Sequence, residues 1–360
     1  MKKVSRNQSF KFKALKFGLI NLLAVSFLWI LITFTITQCQ AQATAPRSLL
    51  ALSKSDHILA IIDPVTLKVI ARVPVGSDPH EVIASADGKM AYVSIYGGGS
   101  LHELSVVDLI AQKALPAIDT RPLMGPHGLT FAVGKVWFSA EGAKAVGRYD
   151  PATGKFDWAM GTGQDRTHMI YVTDDGKKVY TTNVTSATVS FLVDSLVKPT
   201  GPPGGFAPPA RRNWVQTVIP VAKGSEGFDV SPDGRELWTA GADEGAISII
   251  DIAAKKVTAT IDAKVVGANR LKFTPDGKRV LVTSLRTGDL FIFDAVSHQE
   301  LKRLNTGHGA AGILIDDDGS RAFIGCTGDN YVAVIDLNKL EVTGHIDIRG
   351  ADGLAWAVRR

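Results

Sequence analysis

The chain has 360 residues, of which 45% are hydrophobic, and its formal net charge at pH 7 is +5. Residues 1–43 contain six of the 40 Lys and Arg residues and none of the 35 Asp and Glu residues, so the remainder has a net charge of −1 and a nucleic-acid partner is excluded. The two cysteines form no CxxCH or CxxC motif, which excludes covalently attached c-type haem and a paired-cysteine zinc site.

The first 43 residues have the layout of a targeting segment. A basic stretch from Lys2 to Lys16 precedes an uncharged stretch from Phe17 to Thr37, and Ala41-Gln42-Ala43 follows as a small-x-small cleavage signal. We predict a signal peptide over residues 1–43 and a periplasmic or extracellular protein. Because the uncharged stretch approaches the length of a bilayer span, an uncleaved anchor with the protein facing outward is an alternative, and lipid modification at Cys39 is a third.

A strand that ends in Asp recurs seven times in the rest of the chain. The spacings of these residues are 45, 42, 44, 57, 43 and 42, and the residues are Asp63, Asp108, Asp150, Asp194, Asp251, Asp294 and Asp336. A period of about 40–45 residues with several short strands in each repeat is typical of a β-propeller blade. We expect each Asp to accept hydrogen bonds from the backbone of the turn that follows it.

Each repeat divides into four strands, A to D. In the repeat over residues 226–264, GFDVS, ELWTA, AISIID and KKVTATI alternate apolar and polar residues, and Gly, Pro and Asp separate them. The chain starts with strands B, C and D of one repeat and ends with a lone strand A, ADGLAWAV. We therefore predict an all-β fold, a seven-bladed β-propeller of four-stranded blades over residues 46–360, closed by the C-terminal strand.

One repeat carries an insertion that is rich in Pro and Gly. Residues 195–213, SLVKPTGPPGGFAPPARRN, lengthen one C–D turn by about 15 residues relative to the period. Proline cannot donate to a β-ladder, so the insertion is predicted to lie outside the sheet. It is either a surface loop or an arm that contacts a partner through Phe206, Arg211 and Arg212.

Three short motifs resemble those of the YVTN family of β-propellers. They are Pro79-His80-Glu81-Val82 at a strand A, Pro275-Asp276-Gly277-Lys278 at an A–B turn, and Val179-Tyr180-Thr181-Thr182-Asn183 at a strand B. The resemblance extends over essentially the whole chain after the leader. It implies an exported propeller scaffold, structurally related to seven-bladed lactonases, to the propeller subunit of quinohaem amine dehydrogenases and to the haem d1 domain of nitrite reductases.

Candidate functional residues lie where the strands A begin, because these strands line the central channel of a propeller. Alignment of the repeats brings one residue of each strand to the channel mouth, namely His80, His127, His168, Glu226, Asn269, Ala311 and Asp352. The B–C loops add Glu141 and Arg286 on the same face. We predict ligand binding by His80, His127, His168, Glu226, Asn269, Asp352, Glu141 and Arg286. Imidazoles with a carboxylate suit a borderline metal ion, so His80, His127, His168 and Glu226 are the metal candidates.

Three functions fit this pattern. The first is a binding or scaffold protein that presents the mouth to a small ligand, a metal ion or a partner protein. The second is a lactonase-type hydrolase in which His127 or Glu226 activates water and Arg270 stabilises the oxyanion. The third is an accessory subunit of a periplasmic redox or metal system. No cofactor is identified beyond a possible metal ion, and we expect a monomer that contacts a membrane only through an uncleaved N-terminal segment.

Overall fold

The computed structural model of this protein describes residues 46–198, 205–206 and 208–360. The predicted leader, Cys39 and the centre of the 195–213 insertion lie outside these residues. The described chain forms seven four-stranded antiparallel sheets, as the repeat period predicts. None of its helical segments is long and apolar enough to cross a membrane.

The strands follow the chain in the predicted order. The first blade contains β1 (Arg47–Ser53), β2 (Ile58–Ile62) and β3 (Val69–Pro74), and the second contains β4 (Pro79–Ala84), β5 (Met90–Ile95), β6 (Glu103–Asp108) and β7 (Lys113–Asp119). A short 3₁₀ turn, Gly97–Gly99, follows β5. The third blade contains β8 (Pro126–Ala132), β9 (Lys135–Ala140), β10 (Ala145–Asp150) and β11 (Lys155–Gly161), and the fourth contains β12 (Thr167–Val172), β13 (Lys178–Asn183), β14 (Thr188–Val197) and β15 (Arg211–Pro220).

The remaining strands complete three further blades and the first one. The fifth blade contains β16 (Ser225–Val230), β17 (Glu236–Gly241), β18 (Ile247–Asp251) and β19 (Lys256–Ile261). The sixth contains β20 (Ala268–Phe273), β21 (Arg279–Ser284), β22 (Asp289–Asp294) and β23 (Glu300–Asn305). The seventh contains β24 (Ala310–Ile315), β25 (Arg321–Cys326), β26 (Tyr331–Asp336) and β27 (Glu341–Asp347), and the last strand is β28 (Ala351–Val358).

The ring closes as the sequence predicts. Strand β28 pairs antiparallel with β1, from Arg47 opposite Val358 to Ser53 opposite Ala351, so the first sheet has the order β28-β1-β2-β3. This pairing removes two free sheet edges. The first blade is thus built from both ends of the described chain.

The core lies between neighbouring blades. Strands B and C are largely buried, as in β1, whereas strands D such as β7 are largely exposed. Leu52 and Ile61 of the first blade pack with Val93 and Val107 of the second, and none of these four side chains has measurable exposure. Each such side chain contributes about 1.5–3 kcal/mol through removal from water. The blades therefore hold one another in place without disulfides.

The Asp residues that end strands C cap their turns, with one exception. Asp63 Oδ1 accepts a hydrogen bond from Val65 N at 2.8 Å, and Asp108, Asp150, Asp251, Asp294 and Asp336 make equivalent bonds. Asp194 differs, because it lies inside β14 opposite Trp214, and its carboxylate accepts hydrogen bonds from the guanidinium of Arg212.

The prediction that the insertion stays outside the sheet is wrong at its two ends. Strands β14 and β15 are ten residues long and stay paired as far as Val197 opposite Arg211. Residues 195–197 and 211–213 contain no proline, so their backbone groups can continue the ladder. The prolines of the insertion begin only at Pro199 and end at Pro209.

Candidate functional site at the channel mouth

The starts of the seven strands A converge on one cavity of about 230 Å³. All seven residues that the repeat alignment selects line it. Side chains from connecting loops complete its wall. The lining residues are Lys54, His80, Tyr96, His127, Arg166, His168, Glu226, Asn269, Arg270, Leu285, Ala311, Thr327 and Asp352.

Glycine residues bring the strands A close together just inside the mouth. Gly128, Gly227, Gly312 and Gly353 each follow a mouth residue, and a Cβ there would lie 2.3–2.6 Å from the carbonyl oxygen of the mouth residue in the next blade. No side chain fits in that space. In the other three blades this position holds Glu81, Met169 and Arg270.

Hydroxyl groups of strand B hold the mouth residues in position. The A–B register shifts at the mouth, as between Thr167 and Ile170, which frees backbone groups from the ladder. Thr182 Oγ1 accepts a hydrogen bond from Met169 N at 3.2 Å and donates one to the carbonyl oxygen of Glu226 in the next blade at 2.6 Å. The second Thr of the Tyr-Thr-Thr-Asn motif therefore joins two blades at the mouth, which gives this part of the motif a structural role.

Four aromatic rings form one side of the cavity. His127 lies between His168, with ring centroids 3.8 Å apart, and His80, with centroids 4.9 Å apart. The ring of Tyr96 lies 4.8 Å from that of His80 and 4.9 Å from that of His127. His127 therefore contacts both of the other predicted histidines.

Two of these imidazoles are held in the neutral form. Burial, together with the positive charge of Lys54, lowers the pKa of His80 to about 4, although Asp78 acts in the opposite direction. Burial and the neighbouring His168 and His80 lower the pKa of His127 well below its usual value. His127 is 1% exposed, and its Nδ1 atom has no hydrogen-bond partner within the described residues. A neutral imidazole of this kind can accept a proton or bind a ligand.

A charged network crosses the third, fourth, fifth and sixth blades. The Arg166 guanidinium donates to Glu141 from Nε at 2.6 Å and to Glu226 from Nη2 at 3.4 Å. Glu226 also accepts a hydrogen bond from Asn269 Nδ2 at 2.6 Å, and Glu141 lies 3.3 Å from His168 Nδ1. Burial opposes ionisation of Glu141, but His168, Tyr96 and Arg166 outweigh it and hold its pKa at about 2.

Lys54 is the centre of a second network on the opposite side of the mouth. Its Nζ lies 2.8 Å from His80 Nε2, 3.2 Å from Asp78 Oδ1 and 3.4 Å from Asp352 Oδ2. Burial raises the pKa of Asp352, although Lys54 and Arg270 act in the opposite direction. Asp352 can therefore hold a proton more readily than an exposed aspartate does.

An ion pair closes the bottom of the mouth cavity. Arg270 of the sixth blade and Glu81 of the second reach each other across the channel. Below them lies a second cavity of about 260 Å³, with Leu129, Phe228 and Ile313 among its lining residues. Arg270 lines both cavities and, with Glu81, separates the mouth cavity from the rest of the channel.

The structure places most of the predicted residues in this site. Glu141 lies directly behind the wall, bound to Arg166 and His168, and Arg286 is exposed and does not line the cavity, where Leu285 takes its place. The sequence analysis missed Lys54 and Glu81. No sequence pattern indicated Lys54, because its loop belongs to the blade that is divided between the two ends of the chain. Glu81 follows His80 in the Pro-His-Glu-Val motif, and the motif does not indicate that the Glu side chain crosses the channel.

The metal hypothesis gains no support from this geometry. Within the described residues, no group of three or more His, Cys, Asp or Glu side chains is arranged to hold a metal ion. Two of the imidazoles face each other as rings, and Glu226 is already bound to Asn269 and Arg166. Cys326 is buried, and burial raises the pKa of its thiol to about 11, so it is an unreactive core residue.

Comparisons with known proteins show the fold. No protein-family model matches the sequence, and no curated protein matches it significantly. A functionally unknown protein from Desulfotomaculum acetoxidans superposes with a TM-score of 0.69 at 12% identity, over 87% of this chain and 99% of the other. A putative 6-phosphogluconolactonase from Bacteroides fragilis gives 0.66 at 14% identity, over 88% and 99%. Hydrazine synthase from Kuenenia stuttgartiensis gives 0.63 at 18% identity, over 77% and 89%. The chain is a seven-bladed β-propeller whose structural neighbours include a putative 6-phosphogluconolactonase and a hydrazine synthase, whereas membership of the YVTN family stays a prediction.

Proposed function

We propose that this chain is an exported propeller that binds a small polar ligand in the mouth cavity. The main support is that seven blades of one architecture supply different side chains at one position. Three are histidines, and the others are Glu, Asn, Ala and Asp. Turn and strand geometry require none of these residues, so their convergence is best explained by recognition of one ligand.

The size and hydrogen-bonding state of the cavity support a small molecule. A volume of about 230 Å³ corresponds to roughly eight water molecules at ~30 Å³ each. The Nδ1 atom of His127 and the Oδ1 atom of Asn269 are buried without a partner among the described residues. Buried polar atoms normally have a hydrogen-bond partner, and a bound ligand or its waters would supply one.

Native mass spectrometry of protein purified from its producing cells tests this proposal. We expect a bound small molecule that is retained in Lys278→Ala, a change on the opposite face, and lost in His127→Ala. If the purified protein carries no ligand, a thermal-shift screen with sugars, sugar acids and amino acids replaces native mass spectrometry as the test. Loss in Lys278→Ala alone would contradict the location, and an empty protein that no compound stabilises would contradict ligand binding.

A lactonase-type hydrolase is the second candidate. It is favoured by a neutral, buried His127, by Asp352 with its raised pKa, and by Arg270 in the same cavity. His127 would accept a proton as water attacks the lactone carbonyl, Arg270 would stabilise the oxyanion, and Asp352 would protonate the ring oxygen as its bond to the carbonyl carbon breaks. Hydrolysis of glucono-1,5-lactone and of 6-phosphogluconolactone, measured by acid release, should fall at least about 100-fold in His127→Ala. Rates equal to the spontaneous reaction would exclude it.

A further inference from the structure

Each strand A is preceded by a residue whose backbone is left-handed. The seven φ values lie between 54° and 78°, and all seven positions are described. Five of them are glycines, as this conformation favours. The residues are Asp78, Gly125, Arg166, Gly224, Gly267, Gly309 and Gly350.

The side chains of the two exceptions bind charged residues of the site. Asp78 accepts hydrogen bonds from Lys54 and from Gly97 N, and Arg166 binds Glu141 and Glu226. Asp tolerates the left-handed region, whereas Arg is strained there. Five blades show that the fold does not need a side chain at this position. Strain that the architecture does not require is a mark of a functional position.

Arg166 is the most accessible cation of the site. Its side chain is 41% exposed, compared with 25% for Lys54 and 9% for Arg270. Its Nη2–Glu226 bond is long at 3.4 Å, whereas its Nε–Glu141 bond is 2.6 Å. A ligand can therefore compete with Glu226 for this edge of the guanidinium.

Positive charge predominates in the cavity wall itself. Among the described residues, the cations Lys54, Arg166 and Arg270 line the cavity, and the carboxylates that line it are Glu226 and Asp352. Burial raises the pKa of Asp352, and its carboxylate lies 3.4 Å from the Lys54 ammonium group. The carboxylates Asp78, Glu81 and Glu141 are bound to the cations but do not line the cavity. They orient the cations while leaving them accessible from the inside.

We infer that the ligand of the mouth cavity carries a carboxylate or phosphate group, and that Arg166 binds this oxyanion with the edge it now turns toward Glu226 and solvent. The inference rests on the proposed function. An Arg presents two parallel N–H donors that match the geometry of either oxyanion. Lys54 and Arg270 add positive charge from deeper in the wall. Ligand binding then explains the strained backbone at Arg166, because a glycine could not supply this contact.

Isothermal titration with matched probes tests the inference. D-Gluconate and D-glucitol share a carbon chain and differ in the carboxylate, and 6-phosphogluconate and inorganic phosphate represent the phosphate source. At constant ionic strength we expect gluconate or 6-phosphogluconate to bind at least 10-fold more tightly than glucitol, since a hydrogen bond to a charged group contributes about 1.5–3 kcal/mol. Which of the two binds more tightly distinguishes carboxylate from phosphate.

The variant that carries the test is Arg166→Gly, because glycine is the residue of five other blades at this position. We expect it to fold, with a cooperative thermal transition, and to lose at least 10-fold in affinity for the anionic probe. Arg166→Lys should recover part of the loss. Arg303→Gln removes an exposed Arg on an outer strand and should bind like the parent.

Each outcome separates this inference from the proposed function. If glucitol binds as tightly as the anions, or if Arg166→Gly binds like the parent, the oxyanion inference is wrong and ligand binding stands. If no probe binds but a small molecule copurifies with the protein, the inference is overturned when that molecule is neutral or cationic. If no probe binds, nothing copurifies and no compound of the thermal-shift screen stabilises the protein, both proposals fail.

Discussion

Removal of residues 353–360 should abolish the native fold. The deletion takes away five of the six paired positions between β28 and β1. It also removes Leu354, which is 9% exposed, and Trp356, whose ring packs edge-on against Phe323 with centroids 5.5 Å apart. Leu50 and Leu52 of β1, which are fully buried in the intact protein, lose their cover.

The magnitude follows from the side chains that are lost. A buried Leu truncated to Ala costs about 2–5 kcal/mol, and a Trp about 3–5 kcal/mol. Their sum, about 5–10 kcal/mol before the lost hydrogen bonds are counted, is comparable with the whole stability of a typical protein, about 5–15 kcal/mol. The bare edge of β1 would also pair with other chains. We therefore expect insoluble protein.

A graded version makes the prediction quantitative. Leu354→Ala should lower the free energy of unfolding by about 2–4 kcal/mol in a urea titration followed by circular dichroism. The matched control is Leu301→Ala, which removes the same atoms from a side chain that is 46% exposed on the outer strand β23 and should cost about 0.5 kcal/mol or less. A truncated protein that stays soluble with an unchanged melting temperature would refute closure of the ring by β28.

Three further predictions concern the mouth and the N-terminus. Gly227→Ala places a Cβ 2.5 Å from a backbone oxygen of the next blade and should lower the free energy of unfolding by about 2 kcal/mol or more. The control Gly234→Ala, at φ +71° with open space around it, should lower it by about 1 kcal/mol. Equal losses of stability in urea titrations would argue against close packing of the strands A. His80 has a folded pKa of about 4, below the unfolded value of about 6.5, so the unfolded chain takes up a proton first on acidification. Stability should fall by roughly 2–4 kcal/mol from pH 6.5 to pH 4 relative to His80→Gln, and parallel stability curves for the two proteins would contradict a depressed pKa. Mass spectrometry of the exported protein should find a mature chain that begins near residue 44, while an intact Met1 in the membrane fraction indicates the anchor and a lipidated Cys39 the lipoprotein.

The fold could be predicted because it repeats. A strand-turn unit that returns every 42–45 residues, with one longer interval, determines the number of blades, and the missing strand A at the beginning matches the extra one at the end. Repetition also aligned the seven mouth residues, since equivalent positions of equivalent strands must lie at the same height around the channel. All seven line the same cavity in the structure.

The side chains of the site that this alignment does not include could be identified only from the tertiary structure. Lys54 reaches the cavity because closure of the ring brings its loop beside His80 and Asp352. Glu81 and Arg270 come from distant blades, and only the width of the channel determines that they meet. The partner of a long charged side chain depends on the length of that side chain and on the space around it, and no local sequence pattern specifies the partner. For the same reason Arg286, at a predicted position, does not line the cavity, while Arg166 binds carboxylates in two other blades.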